Sequence, residues 1–223
     1  MVGQRIWHET GLVDALAEGA LVVTAGERLA RAVQLAYARA QQRAGRQVWE
    51  RPRVLSWQAF LTEQFNACQD AALTSSRTDA SRLPSLLSPL QAEALWERAV
   101  RTSEAADSLL QPTAAAQLAQ DAWLLSHAYR LVAEELAKSA AADTAQFIGW
   151  AADFQSRCDS ENWLDAARLP DQLVTWIAAR QLDVSARLVF AGFDEWTPQQ
   201  EHLLQSLREA GSQIERRVMD AVA

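Results

Sequence analysis

The stretch LVFAGFDEWTPQQEHLLQSL, from Leu188 to Leu207, brings an apolar run to a carboxylate pair, Asp194-Glu195, ahead of Thr197-Pro198 and an amphipathic segment. Carboxylates at the tip of a buried strand can hold Mg²⁺ through water, and beside a phosphate cradle they would serve nucleotide hydrolysis. Such a cradle needs consecutive backbone N–H groups at a Gly-rich turn, a helix N-terminus and a Lys. No G-x-x-x-x-G-K-[ST] occurs anywhere in the chain. The cradle belongs ahead of the apolar run at Leu21, but only twenty residues precede that run and none is Lys. A strand, loop and helix take about 25–30 residues. The carboxylates are also displaced. Gly192-Phe193 follow Leu188–Ala191 where a hydrolase would set its metal-binding Asp, and Asp194 reaches the strand tip only if the strand extends to Phe193. No catalytic residue is assigned.

Other chemistry-bearing residues are sparse. Cys68 and Cys158 lie far apart with no C-x-x-C, and there are three histidines without ligand spacing, so no metal, cofactor or disulfide framework is expected. Net charge is −7, which argues against a general nucleic-acid coat. The distribution is uneven. Arg28, Arg31, Arg39, Arg43, Arg46, Arg51 and Arg53 face the single acid Glu50, a local charge of +6. At about 100° per residue, Arg28, Arg31, Arg39, Arg43 and Arg46 fall within an arc of roughly 120° on one helix. Their guanidinium forks suit phosphates, although the same arc also describes a solvated surface face.

The elements that must position these residues follow from periodicity. Leu21–Thr24 reads as a short buried strand broken at Gly26, followed by a helix from Glu27 to Arg43 that ends near Gly45. Leu29, Val33, Ala36 and Ala40 share its apolar face. Arg53–Leu55 reads as a second strand, and Ser56 as the cap of a helix over Trp57–Cys68. The polar segment Asp70–Ser88 reads as a surface loop. Helices are expected over Pro89–Thr102, Thr113–Ser139, Thr144–Glu161 and Leu169–Arg180. A strand at Arg187–Ala191, a helix over Pro198–Glu209 and a last strand over Gln213–Val218 close the chain. Strands alternating with helices favour a parallel sheet. The expected organisation is an α/β core over residues 1–68 and 183–223, interrupted by a helical insert over 69–182. No run approaches the roughly 20 apolar residues of a membrane span and no signal-peptide pattern is present, so a cytoplasmic protein without membrane contact is expected.

Three stretches, in this order, resemble the first motor domain of UvrD-like superfamily 1 helicases. VVTAGERLARAV is similar to the motif in which a strand ends in Thr and a helix begins. RVLSWQAFLTEQF is similar to the next, a Thr-aromatic-His at a helix start. The Leu188–Leu207 segment resembles the acidic motif, whose tail ends Pro-x-Gln. Within that group the chain resembles the degenerate branch of AddB-type helicase–nuclease subunits, where the acidic strand ends in Gly-Phe. The resemblance implies a P-loop-NTPase-like parallel sheet lacking the phosphate loop, with a large helical insert. It implies that Thr24, Arg28, Ser56 and Trp57, with Arg31 on the arginine face, line a path for single-stranded DNA, Trp57 stacking on a base. Ser56 can equally be only a helix cap and Trp57 only a core residue. Gly192, Phe193, Asp194 and Glu195 form the degenerate acidic motif. The resemblance further implies a role in DNA repair or recombination beside a partner motor or nuclease subunit, or beside further C-terminal domains of a longer parent chain. The competing expectation is a helical protein-interaction module that does not touch DNA, suggested by the acidic charge and the Trp-rich insert.

The missing phosphate loop leads to an expected outcome. Purified chain with ATP, Mg²⁺ and single-stranded DNA should release no phosphate above background. DNA-stimulated turnover that disappears in Asp194→Ala would show that the carboxylate pair works as a metal site after all.

Overall fold

The structure, a computed structural model, describes residues 11–74, 83–138 and 141–217. Among these, two compact units form: one from residues 11–71, 173–196 and 202–217, the other from 83–172, 197–201 and the end of the first long segment.

The first unit is built on a sheet. Helix α1 (Leu12–Ala17) precedes strand β1 (Leu21–Thr24), and Gly19, at φ 85°, makes the turn between them. Helix α2 (Glu27–Arg43) leads to β2 (Val54–Ser56), and helix α3 starts at once (Trp57–Thr74). After the second unit the chain returns as β5 (Arg187–Ala191) and β6 (Gln213–Arg217). The sheet order is β2-β1-β5-β6, all parallel, with Thr24 opposite both Ser56 and Ala191. The chain therefore adopts a mixed α/β architecture with a four-stranded parallel sheet and mostly helical content. Every residue of β1 is buried, as an apolar run between two covered faces requires. One sheet face packs Val22, Val54 and Val189 against Leu12 and Leu16 of α1 and Ala30, Val33 and Tyr37 of α2. Leu29, Ala36 and Ala40 add to that contact, so the apolar stripe of α2 faces the sheet as its spacing predicts. Alternation sends Phe190 to the other face, where its ring meets Phe60 of α3 edge-on at 6.1 Å. Thus α2 and α3 cover opposite faces.

The second unit is helical. Its elements are β3 (Ser85–Leu86), α4 (Pro89–Arg101), α5 (Pro112–Ala128), the single turn α6 (Ala133–Leu136), α7 (Ala142–Ser160) and β4 (Trp163–Leu164). Helix α4 opens on a reciprocal cap: Gln91 N donates to Ser88 Oγ, and Ser88 N donates to Gln91 Oε1. Leu87, Trp96, Val100, Trp123, Trp150, Phe154 and Cys158 form its core, with Trp96 and Phe154 stacked 4.3 Å apart. Helices α8 (Leu169–Ala178) and α9 (Pro198–Glu209) each contribute residues to both units.

Several expected boundaries shift for identifiable reasons. β2 lies one residue later than Arg53–Leu55, so Ser56 is both its last residue and the following helix cap. α3 runs on to Thr74, since Gln69–Leu73 contains no helix breaker. The expected loop over Asp70–Ser88 is thus helical at its start, and its residues 75–82 lie outside the described residues. At its far end, β3 pairs in parallel with β4, Ser85 opposite Trp163 and Leu86 opposite Leu164. Two residues are too short a strand for periodicity to register. The expected helix Thr113–Ser139 breaks at Tyr129-Arg130. Arg130 takes a left-handed φ of 56°, while Leu131 N donates back to Ser126 O at 2.8 Å. That is the helix stop Gly usually provides, made here without one. Its final residue lies outside the described set, as does Val218 of the expected last strand.

Asp165, between β4 and α8, ties the second unit together. It is buried and accepts from Trp123 Nε1 (3.1 Å), Ala167 N (2.9 Å), Arg168 N (3.3 Å) and Arg168 Nε (2.5 Å). Arg168 reaches Asp159 with its other arm (2.8 Å). Removing one partner of a buried pair costs about 3–5 kcal/mol, because the other charge is left uncompensated. Asp165→Ala should therefore destabilise by about that much in urea unfolding followed by tryptophan fluorescence. Asp165→Asn, which keeps an acceptor for Trp123, should lose less. Wild-type stability in Asp165→Ala would remove this hub from the account of the fold.

Candidate functional site

Parallel strands present their carboxyl ends on one edge, and in open α/β sheets ligands bind there, where the strand order reverses. Here the connection from β1 to β2 runs one way across the sheet and that from β5 to β6 the other, so the reversal lies between β1 and β5. At this edge Thr24 is fully buried. Its hydroxyl proton is shared between the carbonyls of Gly26 (3.0 Å) and Leu55 (3.3 Å). Ala25 N donates to Ala191 O at 3.1 Å, joining the loop after β1 to the end of β5. Gly26 then starts α2 in extended conformation. The first turn of α2 carries Arg28, which is exposed. Arg31, one turn on, is exposed and pairs with Glu27 at 3.6 Å, a contact of little energetic weight in water.

Ser56 is buried, and its Oγ accepts from Ala59 N at 3.3 Å, so the expected cap is present. Trp57 begins α3 and is half-buried. Its ring lies 6.0 Å from Phe60, 6.4 Å from Phe190 and 6.0 Å from Phe193, the last edge-on. Trp57 is therefore part of an aromatic cluster over the ends of the strands and also keeps some exposed surface.

Strand β5 ends at Ala191, and Gly192 takes φ 76°, a left-handed conformation that suits a residue without Cβ. The turn sends Phe193 back into the cluster, where it is buried, and leaves Asp194 and Glu195 exposed. The strand does not extend to bring Asp194 to its tip. Phe193 stacks on Trp196 at 4.4 Å and 19°, and the Arg216 guanidinium lies 4.5 Å over the Trp196 ring. Thr197 and Gln200 then cap α9 reciprocally, Thr197 N to Gln200 Oε1 at 3.0 Å and Gln200 N to Thr197 Oγ1 at 3.3 Å.

The fold thus gathers Thr24, Arg28, Ser56, Trp57, Gly192 and Phe193 at one edge. It does not gather the whole arginine arc there. Arg39 and Arg43 lie roughly 16 and 22 Å from Arg28 along the axis of α2. Arg46 follows Gly45, at φ 76°, and is no longer helical. Since α2 and α3 cover opposite sheet faces, only the start of α2 lies at the edge where Trp57 stands. Trp196 and Arg216 do not stand out in the sequence. A tryptophan three residues after Phe193 was the available signal, and nothing marks Arg216, because its partner is 20 residues away.

Other titratable groups point to structure. Burial, above all, lowers the His127 pKa from its ordinary value, while Asp165 and Asp171 oppose the shift; the His127 ring lies edge-on to Trp123 at 4.2 Å. Burial pushes the Cys68 thiol up and the Cys158 thiol up to about 11, so both stay protonated at neutral pH. Among the described residues no group of three or more His, Cys, Asp or Glu side chains is arranged to hold a metal ion. Nor is any helix there long and apolar enough to cross a membrane. No protein-family model matches the chain, and no curated protein matches it at a significant level.

The turn at Gly192 can be tested directly. A left-handed φ costs an L-residue about 1–2 kcal/mol, so Gly192→Ala should destabilise by roughly that amount in chemical denaturation. A neutral result would mean that the turn relaxes and that the position of Phe193 does not depend on glycine.

Proposed function

We propose that this chain is a non-catalytic, helicase-like region of a DNA repair or recombination protein, guiding single-stranded DNA across the carboxyl edge of its sheet. In that role it scaffolds a partner motor or nuclease, whether a separate subunit or further domains of a longer parent chain. One observation carries the reading: Trp57, half-exposed, and Arg28, exposed, each stand at a helix start that follows a parallel strand, on the carboxyl edge of the sheet where the strand order reverses. A flat aromatic surface offers stacking to any base, and a guanidinium on the same edge offers a contact to phosphate; together they suit a single strand regardless of sequence. Thr24 and Ser56 are buried and hydrogen-bonded within the frame, so in this scheme they hold the loop and the helix start rather than touch the strand. Gly-Phe in place of a strand-tip acid accords with a role that does not turn over nucleotide.

The interaction-module alternative has its own support. Leu118, Leu125 and Tyr129 follow one another at helical spacing along α5 and are 70%, 58% and 48% exposed, with Leu131 and Val132 exposed beyond them. Such an apolar stripe on a soluble helix suits a protein partner.

Fluorescence anisotropy with a labelled oligonucleotide at low salt tests the proposal. Wild type should bind weakly, and binding should fall with salt. Trp57→Ala should weaken it about five-fold or more, since stacking is worth about 1–3 kcal/mol per base. The double change Arg28→Ala, Arg31→Ala should flatten the salt dependence by about 1.4 units of slope, at about 0.7 for each phosphate contact removed. Circular dichroism checks that each variant is folded. No binding by wild type, or unchanged binding by the folded variants, would move the assignment to the protein-interaction alternative.

A further inference from the structure

Trp196 and Arg216 lead one step further, on the assumption that the edge takes a single strand. At the ends of β5 and β6 three flat groups form a column. The Phe193 and Trp196 rings lie 4.4 Å apart and nearly parallel, and the Arg216 guanidinium lies 4.5 Å from the Trp196 ring centre. Both groups lie against the Trp196 ring, which is itself only partly exposed. Arg216 is exposed. Its place is set from below as well: it stands opposite Phe190 in the sheet register, and the Phe190 ring is 5.7 Å from Trp196.

A guanidinium lying over an indole presents a second flat face, and bases stack on guanidinium planes as they do on aromatic rings. An ammonium has no such face. We propose that Arg216, backed by Trp196, is a second nucleobase-stacking platform, distinct from Trp57. Its ligand is an unpaired base, because a base within a duplex already has neighbours on both faces. The column therefore contributes to selection of single-stranded over duplex nucleic acid without reading sequence.

Arg216→Lys keeps the charge and removes the plane. Anisotropy titrations at low salt would compare it with wild type on an oligothymidylate and on an abasic strand of equal length. The expected result is a loss of about five-fold or more on oligothymidylate and little change on the abasic strand. Trp196→Leu, which removes the backing, should act in the same direction. If wild type binds oligothymidylate and Arg216→Lys binds it equally well, the platform is refuted while the Trp57 path stands. An equal loss on both strands would make Arg216 a phosphate contact and refute stacking. No binding of either strand by wild type would overturn both proposals.

Discussion

Two donors at the end of β1, the Thr24 hydroxyl and the Ala25 amide, set the geometry on which the candidate site depends. The shared Thr24 hydroxyl proton ties the first loop to β2, and the Ala25 amide ties it to β5. Together they join the two halves of the sheet at the point where its order reverses. A buried hydroxyl without a partner would cost about 1–3 kcal/mol, and Thr24 meets that demand within the frame. With the loop fixed, α2 must start on one side of the sheet and α3 on the other. The two helix starts, and whatever side chains they carry, are then neighbours only along the carboxyl edge.

The aromatic cluster over that edge combines buried rings with partly exposed ones. Phe60, Phe190 and Phe193 are buried and supply apolar area in a place where strand ends would otherwise leave a gap. Trp57 and Trp196 are only partly buried. Trp57 meets Phe193 edge-on and lies tilted against Phe60 and Phe190, and a flat surface preorganised by such packing loses less entropy on binding than a mobile one. The glycine turn at Gly192 matters for the same reason, since it returns Phe193 into the cluster instead of continuing the strand.

The helical unit is organised by a different principle. Its tryptophans pack as a core, and the buried carboxylate of Asp165 collects an indole N–H, two backbone amides and one arm of Arg168. The nearby thiol of Cys158 and imidazole of His127 are tuned by burial toward their neutral forms. Asp165, Arg168, Asp159 and the Trp123 indole satisfy one another, which accounts for titratable residues that would otherwise invite a catalytic interpretation. Gln199 behaves likewise, donating to Ala167 O at 2.8 Å and to Asp171 at 2.6 Å.

Local sequence determined a great deal of this. The β-branched run at Leu21–Thr24 and the apolar run at Leu188–Ala191 specified buried strands, because such runs have no polar face to expose. Pro198 and Gly211 bracketed α9, and the α2 stripe specified which side meets the sheet. These signals act over one or two turns and need no partner. Tertiary structure decided the rest. The stop at Arg130 has no glycine to announce it, and the pairing of Ser85–Leu86 with Trp163–Leu164 joins segments 78 residues apart. The five-arginine arc, regular on paper, contributes only its first turn to the edge, because a helix carries its later residues about 1.5 Å further away with each step. Asp165 and the Phe193–Trp196–Arg216 column were invisible for the same physical reason. A side chain's partners across the fold depend on which strands become neighbours, and periodicity along the chain carries no record of that.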